Sequence, residues 1–253
     1  MEKKRCTAVV LAAGTGSRMK SNVAKQFMLL KGHPLVYYSL KAVEASSIID
    51  DCILVTGESD VAYVQREIVE KYGFHKVVAV IPGGKERYHS VNNALEVIRQ
   101  GGLRIPNQDG FVFIHDGARP LLTEQILRDT YEAVSTCHAC VTATPSKDTV
   151  KLVDEQGYAM GTPERRRVWN VQTPQVFDTS LITDAYARLM RSLSELEQAG
   201  VPVTDDAGVV ELFTDTRVRL VSGSYENIKI TTPEDIPVAE VFLDKMHEMS
   251  KET

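Results

Sequence analysis

The chain has 253 residues, a net charge of −5 and a composition ordinary for a globular protein. That length allows one large α/β domain or two small ones, and the acidic balance argues against coating a nucleic acid while leaving room for a local phosphate site. No apolar run approaches the roughly 20 residues that span a membrane, and Met1–Arg5 is followed too closely by a strand to read as a signal peptide, so a cytoplasmic protein is expected.

Val9, Val10 and Leu11 lie in an unbroken apolar run, the mark of a strand covered on both faces. The run empties into Gly14-Thr15-Gly16. Gly14 and Gly16 permit positive φ and lack the Cβ atoms that would block a ligand. Successive N–H groups in such a loop form an anion-binding concavity. Arg18 adds a permanent planar cation and Lys25 a mobile point charge. The loop is not a P-loop, because Gly16-Ser17-Arg18 stands where Gly-Lys-Ser/Thr is needed. It is not a dinucleotide fingerprint either. Met19 replaces the third Gly or Ala, and His33-Pro34-Leu35 occupies the region about twenty residues on where an acidic ribose ligand belongs. No His-Arg-Asp or Asp-Phe-Gly accompanies it, which excludes a protein-kinase loop. A loop that wraps a triphosphate remains, with a plain tight turn as the alternative that the two cations weigh against.

Pro34 opens a helix as its first-turn residue, with Val36, Leu40 and Val43 on one face. Cys52–Thr56 is a second strand. Gly57 and Ser59 start a charged helix with Val61, Val64, Ile68 and Val69 inward. Val77–Ile81 is a third buried strand, and Pro82-Gly83-Gly84-Lys85-Glu86-Arg87 is a second glycine turn directly after it. In a parallel sheet both glycine turns open on one edge, where ligands sit. The helix that follows buries Val91, Ala94, Leu95 and Ile98, and Ser90 in its first turn can donate to a ligand. Residues 101–110 form a surface loop. The strand Phe111–Ile114 ends in His115-Asp116-Gly117-Ala118-Arg119-Pro120. Asp116 can reach a metal over the sheet edge and Arg119 can bind a phosphate; alternatively the two pair within the turn. His115 reads as packing, since nothing nearby completes a dyad. Ala139–Thr144 is a further strand. Strands alternating with helices give an α/β fold, a doubly wound, mostly parallel sheet.

The pattern changes between Lys147 and Gln175. Thr149–Val153 alternates in part, Gly157 marks a turn, and Val168–Val171 is a second extended run: a hairpin, not a βα unit. It is expected to project as a β-hairpin arm (147–175) from a single domain spanning 1–253. Arg165-Arg166-Arg167 on its second limb is either a phosphate ligand or a charged edge that resists aggregation. Asp178–Arg191 and Asp205–Phe213 read as helices, Val218–Val221 and Asn227–Ile230 as short strands. Thr232-Pro233-Glu234-Asp235 starts the last helix with a cap, a first-turn proline and acids. Cys137-His138-Ala139-Cys140 has the spacing of half a zinc site or a redox pair; with no partner pair in the chain, it reads as chance spacing where a helix meets a strand.

Taken in order, these pieces resemble the 2-C-methyl-D-erythritol 4-phosphate cytidylyltransferases. The matching residues are Leu11-Ala12-Ala13-Gly14-x-Gly16-x-Arg18-Met19, Lys25-Gln26, Gly83-Gly84-x-x-Arg87-x-x-Ser90-Val91 and His115-Asp116-x-Ala118-Arg119-Pro120. Asp148-Thr149-x-Lys151, Arg165 before Trp169, Gln172-Thr173-Pro174-Gln175, Thr204-Asp205-Asp206-Ala207 and Asn227-Ile228-Lys229-Ile230-Thr231 complete the set. The resemblance implies that CTP and the methylerythritol phosphate give a CDP-alcohol and pyrophosphate. It implies Arg18 and Lys25 as transition-state cations, and Ala12, Ala13, Gly14, Gly84, Ser90 and Ala118 around the nucleotide. Asp116 would lie by Mg²⁺. Arg119, Thr149, Arg165 and Lys229 would hold the polyol phosphate, with Thr149 and Arg165 delivered by the arm of a partner subunit in a homodimer. Two residues depart from the pattern: Lys85 stands where an acid is often found, and Glu226 where Asp is common. No fused second enzyme is read after the last helix.

The nucleophile in such a reaction is a phosphate oxygen, already ionised at neutral pH, so no general base is needed. Catalysis is positioning and charge stabilisation as one anion approaches another in line. Loss of Arg18 or Lys25 is expected to lower turnover on the order of 10²–10³-fold. A ribitol 5-phosphate cytidylyltransferase is a second reading: it shares the loop, the turn and the arm, and the residues that discriminate the two lie within the arm and in Thr204–Ala207. A nucleotide-binding regulator that never turns over is a third reading. The joint presence of Arg18, Lys25, Asp116 and Lys229 counts against it.

Overall fold

The computed structural model describes residues 3–14 and 24–249. Its central sheet has seven strands: β1 (Cys6–Ala12), β2 (Asp51–Thr56), β3 (Val77–Pro82), β4 (Phe111–Asp116), β5 (Ala139–Pro145), β6 (Trp169–Asp178) and β7 (Arg219–Ser222). Their order is β7-β5-β6-β4-β1-β2-β3. All run the same way except β6, which is antiparallel to both neighbours. The doubly wound, mostly parallel sheet is therefore present, with one reversed strand. The winding changes direction beside β1, which lies between β2 and β4. Ligands of open α/β sheets bind at that point, beyond the carboxyl ends of the strands.

Period-two alternation sorts the strand side chains into two layers. Ala8, Val10, Cys52, Leu54, Phe111 and Phe113 face one; Val9, Ile53, Val55, Val112 and Ile114 face the other. The first layer is covered by α1 (Leu35–Ala45), by α2 (Val61–Val64, running on as a π-helical stretch, Gln65–Glu70) and, past α3 (Arg87–Arg99), by α4 (Glu124–Cys137). The second is covered by α3, α5 (Thr179–Ala199) and α6 (Asp206–Phe213). Each fully buried aliphatic here contributes roughly 1.5–3 kcal/mol. The last helix, α7 (Asp235–Met249), packs on Leu30 and Leu35.

Several elements differ from the sequence reading. Pro34 caps α1 instead of entering it, because His33–Pro34 pairs with Leu29–Leu30 across a tight turn at Lys31-Gly32. β3 is an edge strand with a single neighbour, so its residues are half-buried, not buried. The arm is shorter than 147–175. Leu152–Val153 pairs with Ala159–Gly161, Arg165–Arg167 forms a 3₁₀ turn, and Trp169–Asp178 enters the central sheet as β6. Thr173-Pro174-Gln175 interrupts the apolar signal there, yet Val176 and Phe177 are fully buried. Asn227–Ile230 forms no strand; side-chain hydrogen bonds hold it, as described below. The Cys-x-x-Cys stretch is the junction of α4 and β5. His138 caps the helix at φ 65°, all four cysteines are free, and no metal-binding cluster occurs among the described residues. Among the described residues, no helix is long and apolar enough to cross a membrane.

Candidate active site

Two clefts open side by side over the carboxyl ends of the strands. The first, of ≈ 490 Å³, is lined by Ala12, Ala13 and Gly14 after β1, by Lys25, by Gly84 and Ser90 after β3, and by Ala118 after β4. Every described residue that the resemblance places at the nucleotide lies here, as does Lys85. Arg18 lies outside the described residues, together with Thr15–Val23. The two glycine turns meet because Gly83 has no side chain: a Cβ there would stand 2.5 Å from Ala13 Cβ and 2.8 Å from Ser90 Oγ. Ser90 Oγ accepts the Gly84 N–H at 3.0 Å, and a reciprocal cap between Glu86 and His89 starts α3.

The second cleft, of ≈ 510 Å³, is lined by Arg119, Thr173 and Gln175 from the β4–β6 side and by Thr204, Asp205 and Ala207 at the start of α6. Three residues line both clefts: Arg87, Asp116 and Lys229. They form one ion network. Lys229 Nζ lies 2.7 Å from Asp116 Oδ2, and Arg87 Nε 3.4 Å from Asp116 Oδ1. Burial pushes the Asp116 carboxyl up, but the charges of Arg87 and Lys229 outweigh it and hold the group well below the usual carboxylate range. A carboxylate thus stands at the meeting point of the clefts with a cation on either side.

Lys229 is placed by its neighbours. Asn227, fully buried, donates to Gln172 Oε1 at 3.2 Å and to the Thr173 carbonyl at 3.0 Å. Its own carbonyl accepts from Arg119 Nη1 at 2.8 Å, and Ile230 N–H donates to the Ala118 carbonyl at 2.9 Å. These bonds do the work that a sheet ladder would otherwise do. Arg119 therefore lines the second cleft while bracing the Lys229 segment. It does not pair with the Asp116 side chain; the turn is closed by Arg119 N–H to the Asp116 carbonyl at 2.9 Å. Thr149 and Arg165 lie on the exposed arm, and neither lines either cleft within one chain. Arg166 and Arg167 both pair with Glu164. Glu226 is tied to Lys245 and lines neither cleft.

His115 is buried, with Nε2 3.1 Å from the Arg119 carbonyl and Nδ1 3.0 Å from Thr173 Oγ1. Burial pulls it down to about 4, so it is neutral at neutral pH and packs the turn. Its linkage has a definite sign. A histidine depressed in the folded state contributes full stability above its unfolded value and loses it as pH falls through the folded one. Over that window, from about 6.5 to 4, the loss attributable to His115 is roughly 3 kcal/mol. Denaturant unfolding at pH 7 and pH 4.5 checks it: His115→Asn should flatten the decline, and a slope equal to the parent's would contradict this account.

The sequence reading gave Arg87 no role. A cation opening a helix opposes the helix dipole and needs an anionic partner, which is the signal that was there to read. Its partners are Asp116 and, through a two-pronged fork at 2.8 and 2.7 Å, Asp206.

Glycine turns at a sheet's carboxyl edge, beside a second cleft that shares a charged wall with them, suit an enzyme that brings two phosphate-bearing ligands together. Comparison with known proteins specifies which kind. The family model of 2-C-methyl-D-erythritol 4-phosphate cytidylyltransferase matches residues 6–245, and the chain belongs to that family. A protein of that name from Lachnospira eligens is 45% identical over 237 residues, 94% of this chain and 98% of its own. One from Lachnoclostridium phytofermentans is 44% identical over 240 residues, 95% and 97% of the two chains. The crystal structure of 4-diphosphocytidyl-2C-methyl-D-erythritol synthase from Anaerococcus prevotii superposes with a TM-score of 0.79 at 34% identity, covering 96% of this chain and 97% of that one. Family membership favours methylerythritol phosphate over ribitol phosphate as the acceptor.

Proposed function

We propose that this chain transfers CMP from CTP to 2-C-methyl-D-erythritol 4-phosphate in the cytoplasm, giving 4-diphosphocytidyl-2-C-methyl-D-erythritol and pyrophosphate. The observation that carries it is the wall of Arg87, Asp116 and Lys229 common to two clefts. CTP takes the first cleft, with its phosphates against Gly14, Gly84, Ser90 and Lys25. The acceptor phosphate takes the second and meets Lys229, with Arg119 behind it. An ionised acceptor oxygen attacks the α-phosphorus, the bond to the departing pyrophosphate oxygen breaks, and no proton need move. Arg18 and Lys25 offset the charge that grows on the α-phosphate and the leaving group.

Mg²⁺ suits this meeting point. It is commonly held by one or two carboxylates together with substrate phosphates, and Asp116 is an ionised carboxylate at the wall of the nucleotide cleft. Bound there, it would add positive charge beside the reacting phosphates. Thr149 and Arg165 reach the acceptor from the arm of a second copy in a homodimer. The arm's exposed Leu152, Val153, Tyr158 and Met160 support this, since a lone two-stranded hairpin is marginal in water and such a patch suits a partner.

Pyrophosphate release with CTP and Mg²⁺ tests the reaction, with methylerythritol phosphate and ribitol 5-phosphate offered in parallel. Release is expected with the first. Release with ribitol phosphate alone would overturn the acceptor, and CTP binding without release in either arm would favour the regulator.

A further inference from the structure

Behind the shared wall lies a buried group that neither cleft touches. Asp206, at the start of α6, is fully buried and accepts both prongs of the Arg87 guanidinium, Nη1 at 2.8 Å and Nη2 at 2.7 Å. Its Oδ1 also accepts the hydroxyl of Tyr186, which is buried on α5, at 2.5 Å. The helix that carries Asp206 is itself pinned: Gln175 Oε1 accepts the Ala207 N–H, and Gln175 Nε2 donates to Asp205 Oδ2, each at 2.9 Å. Arg87 then has Nε left to face Asp116. The Arg87 side chain opens the helix that follows the glycine turn of the nucleotide cleft, while Asp206 opens the helix that borders the acceptor cleft.

We propose that Asp206, supported by Tyr186, is a positioning residue that acts through Arg87. The fork fixes the guanidinium plane, the guanidinium fixes the Asp116 carboxylate from one side, and Lys229 holds it from the other. The same fork ties the nucleotide turn to the start of α6, so the two clefts keep one spacing. A single point charge in place of Arg87 cannot reproduce this, because an ammonium has no planar fork. Asp206 and Tyr186 touch neither substrate. Their loss should therefore lower turnover and leave substrate affinity nearly intact.

This role rests on the cytidylyl transfer proposed above. The parent chain in the same pyrophosphate-release assay separates the two: no release by the parent overturns the reaction and this role together, whereas a parent-like variant overturns this role alone. Removing one member of a buried ion pair leaves the other uncompensated, whereas replacing both by apolar residues of similar volume is often neutral. The test variant is accordingly the double substitution Arg87→Met with Asp206→Leu. It should unfold thermally near the parent temperature and lose about 10²-fold in kcat, as a misplacement of reacting groups predicts; because Arg87 itself lines both clefts, the unchanged KM for CTP is read in Tyr186→Phe, whose side chain lines neither. A folded double variant with parental kcat would show a purely structural ion pair. Should that variant fail to fold, Tyr186→Phe removes only one hydroxyl. It should lower kcat several-fold at an unchanged unfolding temperature, and parental kcat there overturns the proposal equally.

Discussion

Replacing Lys25 by alanine should lower kcat on the order of 10²–10³-fold and leave the acceptor KM nearly unchanged. Lys25 lines the nucleotide cleft and not the acceptor cleft. In the proposed mechanism its charge acts when negative charge builds on the α-phosphate and the leaving pyrophosphate, not when the acceptor binds. Lys229→Ala should behave differently. Lys229 lines both clefts and pairs with Asp116 at 2.7 Å, so its loss should raise the acceptor KM as well as lower kcat. Asp116 keeps Arg87 as a partner in that variant, so the fold should survive. Lys229→Arg should not restore activity, because a planar fork cannot replace a compact charge on a flexible stem. Steady-state kinetics with each substrate varied in turn separate the two lysines. An acceptor KM raised by Lys25→Ala and untouched by Lys229→Ala would reverse the assignment of the clefts.

Mixing two inactive variants should restore activity. Arg165→Ala removes one cation from the arm, and Lys229→Ala removes one from the cleft. If the arm of one subunit completes the site of the other, each pure variant has two damaged sites. A mixed dimer has one site with both lesions and one with neither. After co-refolding equal amounts, half of the dimers are mixed, so activity should recover to about a quarter of the parent value. Mixed samples no more active than the separate variants would place Arg165 and Lys229 in the same subunit's site, or remove Arg165 from the chemistry. The position of Arg165 in one chain motivates the experiment: it is exposed, with its Nη1 3.5 Å from the Lys147 carbonyl, and lines neither cleft.

Much of this arrangement was legible because it is local. The run Ala8–Leu11, the two glycine turns and Asp116 at a strand end each announce themselves within a few residues. A parallel sheet then places all of them on one edge. What escaped was non-local. β6 was hidden because Thr173-Pro174-Gln175 breaks the apolar pattern, and only pairing with β4 and β5 shows that Val176 and Phe177 are core. Asn227–Ile230 looks like a strand by composition. Its partners are instead a glutamine side chain, an arginine guanidinium and a carbonyl from distant segments, which no periodicity reports. Arg87 and Asp206 stand 119 positions apart, so their fork could be suspected only from a cation at a helix start. The sequence offers Arg119 as a partner for Asp116 within the turn, but the two meet only through the backbone, and the carboxylate's partners, Arg87 and Lys229, come from elsewhere in the chain.

A crystal structure of the chain with Mg²⁺, a non-hydrolysable CTP analogue and methylerythritol phosphate tests the central claim most directly. The triphosphate should lie against Gly14, Gly84 and Lys25, the acceptor phosphate against Lys229, and an acceptor oxygen about 3–3.5 Å from the α-phosphorus, in line with the leaving oxygen. Two ligands bound apart, with Arg87, Asp116 and Lys229 not between them, would contradict it.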